Sequence, residues 1–359
     1  MHTNFRLSFL RLGFHKVRSL GLKEYIVVCL ALASSSYIAA TAAEHPTRVE
    51  QTPKALFIII DGIPADVIEA TQTPNIDAIA GEGGYTRAYV GGKIGTESES
   101  PTVSSVGYQS LITGTWANKH NVYTNSPKEV NYRYWDIFRI AKVQQPPLST
   151  ALFSTWQDNR TILVGDGLEQ AGGVKIDYGF DGFELDKQRF PHDLMSGYIR
   201  DIDELVAAEA ARYVEAEGPD LSWVYLQYTD DVSHVFGDGQ RQNAAVKLAD
   251  DQVGAIWKAI QARTRAHNED WLIVVTTDHG RDSKSGRGHG GQSLRERTTW
   301  IASNSSHLEP RFTENPAIVD ILPSIAQHLG MQIPPFIAEQ LDGQSFIGSK
   351  MVESPSIRN

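Results

Sequence analysis

The chain has 359 residues, 41% hydrophobic and 21% charged, with a formal net charge of −10. That is ordinary globular composition with ample apolar material for a core, in one large or two modest domains, and it contains no internal repeat or low-complexity tract. The acidic balance excludes duplex nucleic acid as a partner, and a single cysteine, Cys29, leaves no disulfide or thiol chemistry to the rest of the chain.

The first 43 residues differ from the remainder. Arg6, Arg11, Lys16, Arg18 and Lys23 form a basic lead, and "YIVVCLALASSSYIAATAA" follows, ending in small residues. Ala40-Thr41-Ala42 fits an export-signal cleavage site, so residues 1–43 read as a signal peptide and the protein as exported, periplasmic or secreted. The competing reading is an uncleaved membrane anchor; the apolar part is short and serine-rich for a stable span. Residues 44–53 read as a linker, 54–348 as the working domain and 349–359 as a tail.

"KALFIIIDG" (54–62) is a continuous apolar run cut off by Asp-Gly, the pattern of a strand buried on both faces of a parallel sheet. A hydroxyl-rich stretch follows, "ESPTVSSVGYQSLITGTWANKHNV" (99–122), whose latter part leads into a helix ending near Thr113-Gly114. Residues from about 124 to 200 are less regular, with loops at "QQPPLS" and "RFPHD", and could cover a site. Further strand-like runs are "STALFST" (149–155), "DLSWVYLQYTDD" (220–231), "WLIVVTTDHG" (271–280) and "RTTWIASN" (297–304). Helical patterns occupy 196–218, 241–267 and 317–330. Alternating strands and helices predict an α/β fold with a mostly parallel central sheet and helices on both faces. Ligands then gather beyond the carboxyl ends of the strands, where Asp61, Asp230 and Asp278 stand.

Asp230 and His234 are spaced to share one face of a helical turn, and Asp231 is also within reach of His234. Asp278 and His279 are adjacent where a strand ends, and His289 sits among glycines in "GRGHGG". Three carboxylates and three imidazoles exceed what one divalent ion needs but suit two. Mixed imidazole and carboxylate ligands point to zinc, with manganese as the alternative. Thr102, Ser104, Ser105 and Ser110 are the candidate nucleophiles, against a bland reading as helix caps. Arg281, Lys284 and Arg287 surround the last ligands, where they could bind a substrate's second negative charge or merely solvate a loop.

"IIIDG", "PTVSSVGYQSLITG", "DDVSH", "TTDHG" and "GHGG", in that order, resemble the alkaline phosphatase superfamily, and "DILPSIAQHLG" and "LDGQSF" look like its closing elements. The resemblance implies one metal on Asp230, His234 and His289, and another on Asp61, Asp278, His279 and the nucleophile. Counting back from Thr113-Gly114 maps that nucleophile to Ser104, with Thr102 as the fallback. The segment lacks the Pro and Arg of the sulfatase pattern. It is most similar to the nucleotide pyrophosphatase/phosphodiesterase branch through "LITG" and the His120 region, and that branch's phosphate-contacting Asn maps to Asn125. The branch carries Thr followed by "FPN", whereas this chain has Ser followed by "SVG". "SSVG" also looks like cofactor-independent phosphoglycerate mutases, although export and chain length argue against that activity.

The implied activity is two-metal hydrolysis of a small phosphodiester or pyrophosphate through a phosphoseryl intermediate. Asn125 and the N–H following Ser104 would donate to a non-bridging oxygen. The alternatives are phosphomonoester hydrolysis, favoured by the basic cluster, and a metal-containing binding protein without turnover.

Overall fold

Residues Thr52–Ile60 form the central strand, β1. Its alternate residues Ala55, Phe57 and Ile59 enter one hydrophobic cluster, while Leu56, Ile58 and Ile60 enter another. Side chains on a strand alternate in direction, so one uninterrupted apolar run feeds two cores. The computed structural model describes residues 51–348. The expected signal peptide (1–43), residues 44–50 of the linker and the tail (349–359) lie outside the described residues.

Among the described residues the six further strands are β2 (Gly84–Tyr89), β3 (Thr150–Ser154), β4 (Tyr178–Phe180), β5 (Leu221–Leu226), β6 (Glu269–Thr276) and β7 (Thr298–Ser303). The sheet order is β2-β7-β6-β1-β5-β3-β4. All pairings are parallel except the two that β7 makes, so β7 alone runs against the others. The expected mostly parallel α/β architecture is thus the one observed.

Helices α1 (Pro74–Glu82), α2 (Ser104–Thr113), α3 (Ile137–Gln144), α4 (Gly197–Glu217), α5 (Tyr228–Phe236), α6 (Gln240–Ala266) and α7 (Ile321–His328) cover both faces. The buried residues of α2, α3 and α7 join the first cluster, and those of α1, α4 and α6 the second. Among the described residues no helix is long and apolar enough to cross a membrane.

Two differences from the sequence pattern bear on the site. The run 220–231 is not one strand: β5 stops at Leu226 and α5 begins at Tyr228. The cause lies outside the run. The buried Asp203 on α4 accepts the N–H groups of Gln227 and Tyr228, giving α5 a cap from another helix. The region 124–200 is more structured than its composition suggests, holding α3, β3, β4 and one π-helical turn at Asn159–Val164.

Register places the chemistry. Ile59 pairs with Tyr225 on one side and Thr276 on the other. The three central strands therefore end nearly level, and Asp61, Gln227 and Asp278 leave the sheet together.

Candidate active site

Two groups of metal-competent side chains form at this edge: Asp61 with Asp278 and His279, and Asp230 with His234 and His289. Within each, the potential ligand atoms lie within 4.8 Å of one another.

The first group is buried. His279 Nε2 lies 3.4 Å from Asp61 Oδ1, 3.2 Å from Asp278 Oδ2 and 3.2 Å from Ser104 Oγ. His279 Nδ1 is 2.9 Å from the Gly280 carbonyl, which can only accept, so Nδ1 carries the proton and Nε2 presents a lone pair. Asp61 Oδ1 and Asp278 Oδ2 are buried without a hydrogen-bond partner. Orphaned carboxylate oxygens facing an imidazole lone pair are costly in a low-dielectric interior, and a divalent cation is the group that would satisfy them all. The protonation tendencies agree. Burial, then the charges of Asp278 and Asp230, push Asp61 well above the usual carboxylate range. Burial pushes Asp278 up to about 7, and burial followed by His289 pulls His279 down.

The second group combines a helix and a loop. Asp230 and His234 sit one turn apart on α5, with Oδ2 and Nε2 at 3.1 Å. Asp231, which spacing left open, instead accepts from Ser196 and Gln227. His289 Nδ1 faces the Thr102 carbonyl at 2.9 Å, so its lone pair also sits on Nε2, 3.1 Å from His234 Nε2. Burial alone would raise Asp230; the charge of Arg281 and the hydrogen bond from His234 outweigh it and hold the carboxyl well below the usual range. The rings of His279 and His289 stack at 3.8 Å and 11°, joining the two groups.

Ser104 is the first residue of α2 and makes no capping bond; its hydroxyl turns to His279 instead. The close approach depends on Gly107. A Cβ there would lie 2.8 Å from both Cβ and the carbonyl oxygen of Asp278, so a larger residue would lift α2 off the end of β6. Ser105 and Ser110 bond to the carbonyls of Thr124 and Val106. Thr102, the fallback, is completely buried and bonds the backbone of Gly290 and Gly291, so it holds the His289 loop.

Asn125 lies beside Ser104, but not as the sequence suggested in every detail. Its Oδ1 accepts the Ser105 N–H at 3.0 Å, so that N–H is already engaged and is not free for a substrate oxygen. Because a backbone N–H only donates, the atom facing it is the oxygen, and the Asn125 amide NH₂ is the donor left over. An open cavity of about 180 Å³ lies here, lined by Asp61, Ser104, Tyr108, Asn125, Trp156, Tyr225, Gln227 and Asp230.

The basic loop requires a correction. Arg281 is not at the surface: it is completely buried, and its guanidinium bonds Gly62, Asp230 and the Arg287 carbonyl. It has no free fork for a phosphate. Lys284 and Arg287 are exposed and do not line the cavity.

Four residues were missed from the sequence. Tyr108 and Tyr225 both donate to Asp61 Oδ2, leaving Oδ1 as its open oxygen. Trp156 packs edge-on to Tyr108 at 6.4 Å, and Gln227 completes the wall. Tyr108 stands four residues after Ser104 on one helix, so helical spacing could have found it. Trp156 and Gln227 follow β3 and β5, where the strand-end rule points.

Residues 55–324 match the family model for type I phosphodiesterase/nucleotide pyrophosphatase. The chain belongs to this family. It is 22% identical over 247 residues to ectonucleotide pyrophosphatase/phosphodiesterase family member 7 of Rattus norvegicus, an alignment covering 66% of this chain and 51% of the relative. The chain thus spans about half the length of the curated relatives it matches. Among solved structures, it resembles the phosphonate monoester hydrolase of Agrobacterium radiobacter, with TM-score 0.58, 17% identity and coverage of 84% of this chain and 78% of that one. It also resembles murine ectonucleotide pyrophosphatase/phosphodiesterase 5 in complex with AMP, with TM-score 0.54, 14% identity and coverage of 80% and 99%. At these identities the structural matches speak to the fold, an alkaline-phosphatase-like α/β architecture. The family match identifies a type I phosphodiesterase/nucleotide pyrophosphatase member, and that is a family of metal-dependent phosphoric ester hydrolases.

Proposed function

We propose that the chain is an exported two-metal hydrolase of phosphodiester or pyrophosphate bonds, working through a phosphoseryl intermediate on Ser104. The observation that carries the reading is the cavity wall: Ser104, Asp61 and Asp230 reach it beside the Asn125 amide, and among the described residues no Lys or Arg side chain lines it. A phosphate monoester brings a second negative charge and would call for such a cation, whereas a diester carries one charge.

Asp61, Asp278 and His279, with Ser104, would hold one divalent cation, and Asp230, His234 and His289 the other, zinc in our reading with manganese as the alternative. Two such cations supply Lewis acidity that favours the ionised serine and shields the departing oxygen. Ser104 Oγ, its proton lost to solvent, attacks phosphorus in line, and the bond to the leaving group breaks with its electron pair. The leaving group departs as an alcohol or phosphate after taking a proton from solvent. Attack of water on the phosphoseryl group then frees Ser104. Throughout, Asn125 Nδ2–H donates to a non-bridging oxygen as negative charge builds on it. Trp156 lines the cavity and gives the rest of the substrate an aromatic neighbour, in keeping with a nucleotide such as the AMP held by the murine relative. The basic lead, apolar stretch and Ala-Thr-Ala ending of the first 43 residues support export.

The test compares kcat/KM of the zinc-loaded protein for an aryl nucleotide diester and an aryl phosphate monoester. The proposal expects the diester to be preferred by about tenfold or more, a modest share of what one well-placed polar contact contributes. Preference for the monoester would overturn it in favour of a phosphomonoesterase. No turnover of either would favour the non-catalytic binding protein.

A further inference from the structure

Arg281 directly follows the His279-Gly280 pair, and its place in the fold is unusual for an arginine. The side chain is 0% exposed. Its Nε donates to the Gly62 carbonyl at 3.1 Å, its Nη1 to the Arg287 carbonyl at 2.9 Å, and its Nη2 to the Asp230 carbonyl at 2.9 Å and to Asp230 Oδ1. One guanidinium therefore fastens the end of β1, the first turn of α5 and the loop that delivers His289. Space is kept for it: Gly62 has φ +67°, and a Cβ there would lie 2.6 Å from Asp230 Oδ1 and 3.0 Å from Arg281 Nη2. Among the described residues, Asp230 is the ion-pair partner of Arg281.

The consequence is an imbalance of charge. The Asp61–Asp278–His279 group has two carboxylates, each with an oxygen that has no hydrogen-bond partner, and Ser104 beside them. The Asp230–His234–His289 group has one carboxylate, and one of its oxygens is already given to a guanidinium that cannot lose its proton. Solvent access is unequal in the same sense. The His234 side chain is 45% exposed, while those of His279 and Asp278 are 0% exposed.

Resting on the reading of both groups as metal sites, we infer that Arg281 is a positioning residue that makes the two sites unequal. It turns Asp230 Oδ2 to His234 and engages Oδ1, which lies 3.8 Å from His289 Nε2, and its fixed charge weakens retention of the cation that the three ligands share. The Asp230–His234–His289 site holds its ion loosely and exchanges it; the Asp61–Asp278–His279 site keeps its ion tightly. Orientation and charge act in opposite directions here. Charge decides the sign, because His234 and His289 are also held by α5 and by the Thr102 carbonyl.

The test is equilibrium dialysis of the full-length chain against buffered Zn²⁺, with bound metal counted by elemental analysis rather than by activity. The wild type should bind two equivalents in two steps, separated by about 100-fold in free zinc, as expected from the difference in charge around the two sites. Asp230→Asn should abolish the weak step and Asp61→Asn the tight one. Arg281→Met, which nearly keeps volume and removes charge, should tighten the weak step by roughly 10- to 100-fold and leave the tight step nearly unmoved. Arg281→Lys should stay close to wild type. Two equal steps, a weak step that disappears in Asp61→Asn, or a weaker second step in Arg281→Met would overturn the inference while leaving the two-metal reading intact. Arg281→Gln, which removes the charge but keeps polar groups for the buried carbonyls, is the second variant should Arg281→Met not fold; it should tighten the weak step in the same direction, and a weaker or unmoved step would overturn the inference. Absence of zinc binding altogether would remove both.

Discussion

The two ligand groups are built from different materials. Asp61, Asp278 and His279 come from the ends of adjacent central strands and are shut away from solvent. Asp230 and His234 ride on one helix and His289 on a glycine loop, and this group reaches the surface through His234. The strand-end group takes its geometry from sheet register, which few substitutions can alter. The helix-and-loop group takes its geometry from contacts made elsewhere, namely Asp203 at the start of α5, Thr102 under His289 and Arg281 against Asp230. A rigid group beside the nucleophile and an adjustable one opposite it suit a reaction in which attack has one fixed geometry and leaving groups vary.

The largest effect should come from the nucleophile beside the rigid group. Ser104→Ala should lower kcat by on the order of 10,000-fold with zinc content nearly unchanged, measured by steady-state assay and elemental analysis of one preparation. Retention of activity would remove Ser104 from the chemistry. Asn125→Ala should cost about 100-fold in kcat, the value of one donor to a developing oxyanion, again without loss of metal. His234→Ala should cost roughly tenfold to 100-fold at limiting zinc and recover in part when zinc is raised. Asp278→Asn should not recover, and equal recovery of the two variants would erase the distinction between the groups.

A smaller effect tests the borrowed support of α5. Asp203→Asn cannot accept every donor that Asp203 now accepts, so it should destabilise the fold by about 1–3 kcal/mol. It should also change the pH dependence. Burial pushes Asp203 up to about 7, against the hydrogen bonds from Thr155, Tyr228 and Gln227. A carboxyl raised in the folded state holds a proton there that the unfolded chain, with a value of about 3.9, has already lost. The wild type should therefore lose Tm relative to Asp203→Asn as pH rises from about 4 to about 7 and level off above that. A parallel pair of Tm curves would contradict this. The smallest effect is expected of the exposed Lys284 and Arg287. Alanine at either should change kcat/KM for a diester by less than about threefold, the scale of exposed charges under screening.

The same contrast explains what the sequence made legible. Asp61 and Asp278-His279 stand out because a buried strand is a local pattern and its end is visible where the apolar run breaks. The Asp230–His234 pair is legible as helical spacing, but Asp231 could be set aside only once Ser196 and Gln227 were seen to engage it. The β5–α5 junction was misread because apolar periodicity runs on past Leu226, while the cap that ends the strand comes from Asp203, far away in the chain. Arg281 was misread for a related reason. A cation in a glycine-rich loop belongs in solvent unless other segments close over it, and Gly62 and Asp230 do so through tertiary contacts alone. Tyr225 belongs to a strand that is buried along its whole length, so nothing local marks its hydroxyl as a partner of Asp61.

The central claim is that six distant carboxylate and imidazole side chains converge into two cation sites with the Ser104 hydroxyl at their edge. Anomalous diffraction at the zinc edge from crystals of the zinc-loaded protein addresses it most directly. Two peaks about 4 Å apart are expected, one within each group, with Ser104 Oγ coordinating the one held by Asp61, Asp278 and His279. A single peak, or a Ser104 side chain turned away from both, would contradict the account.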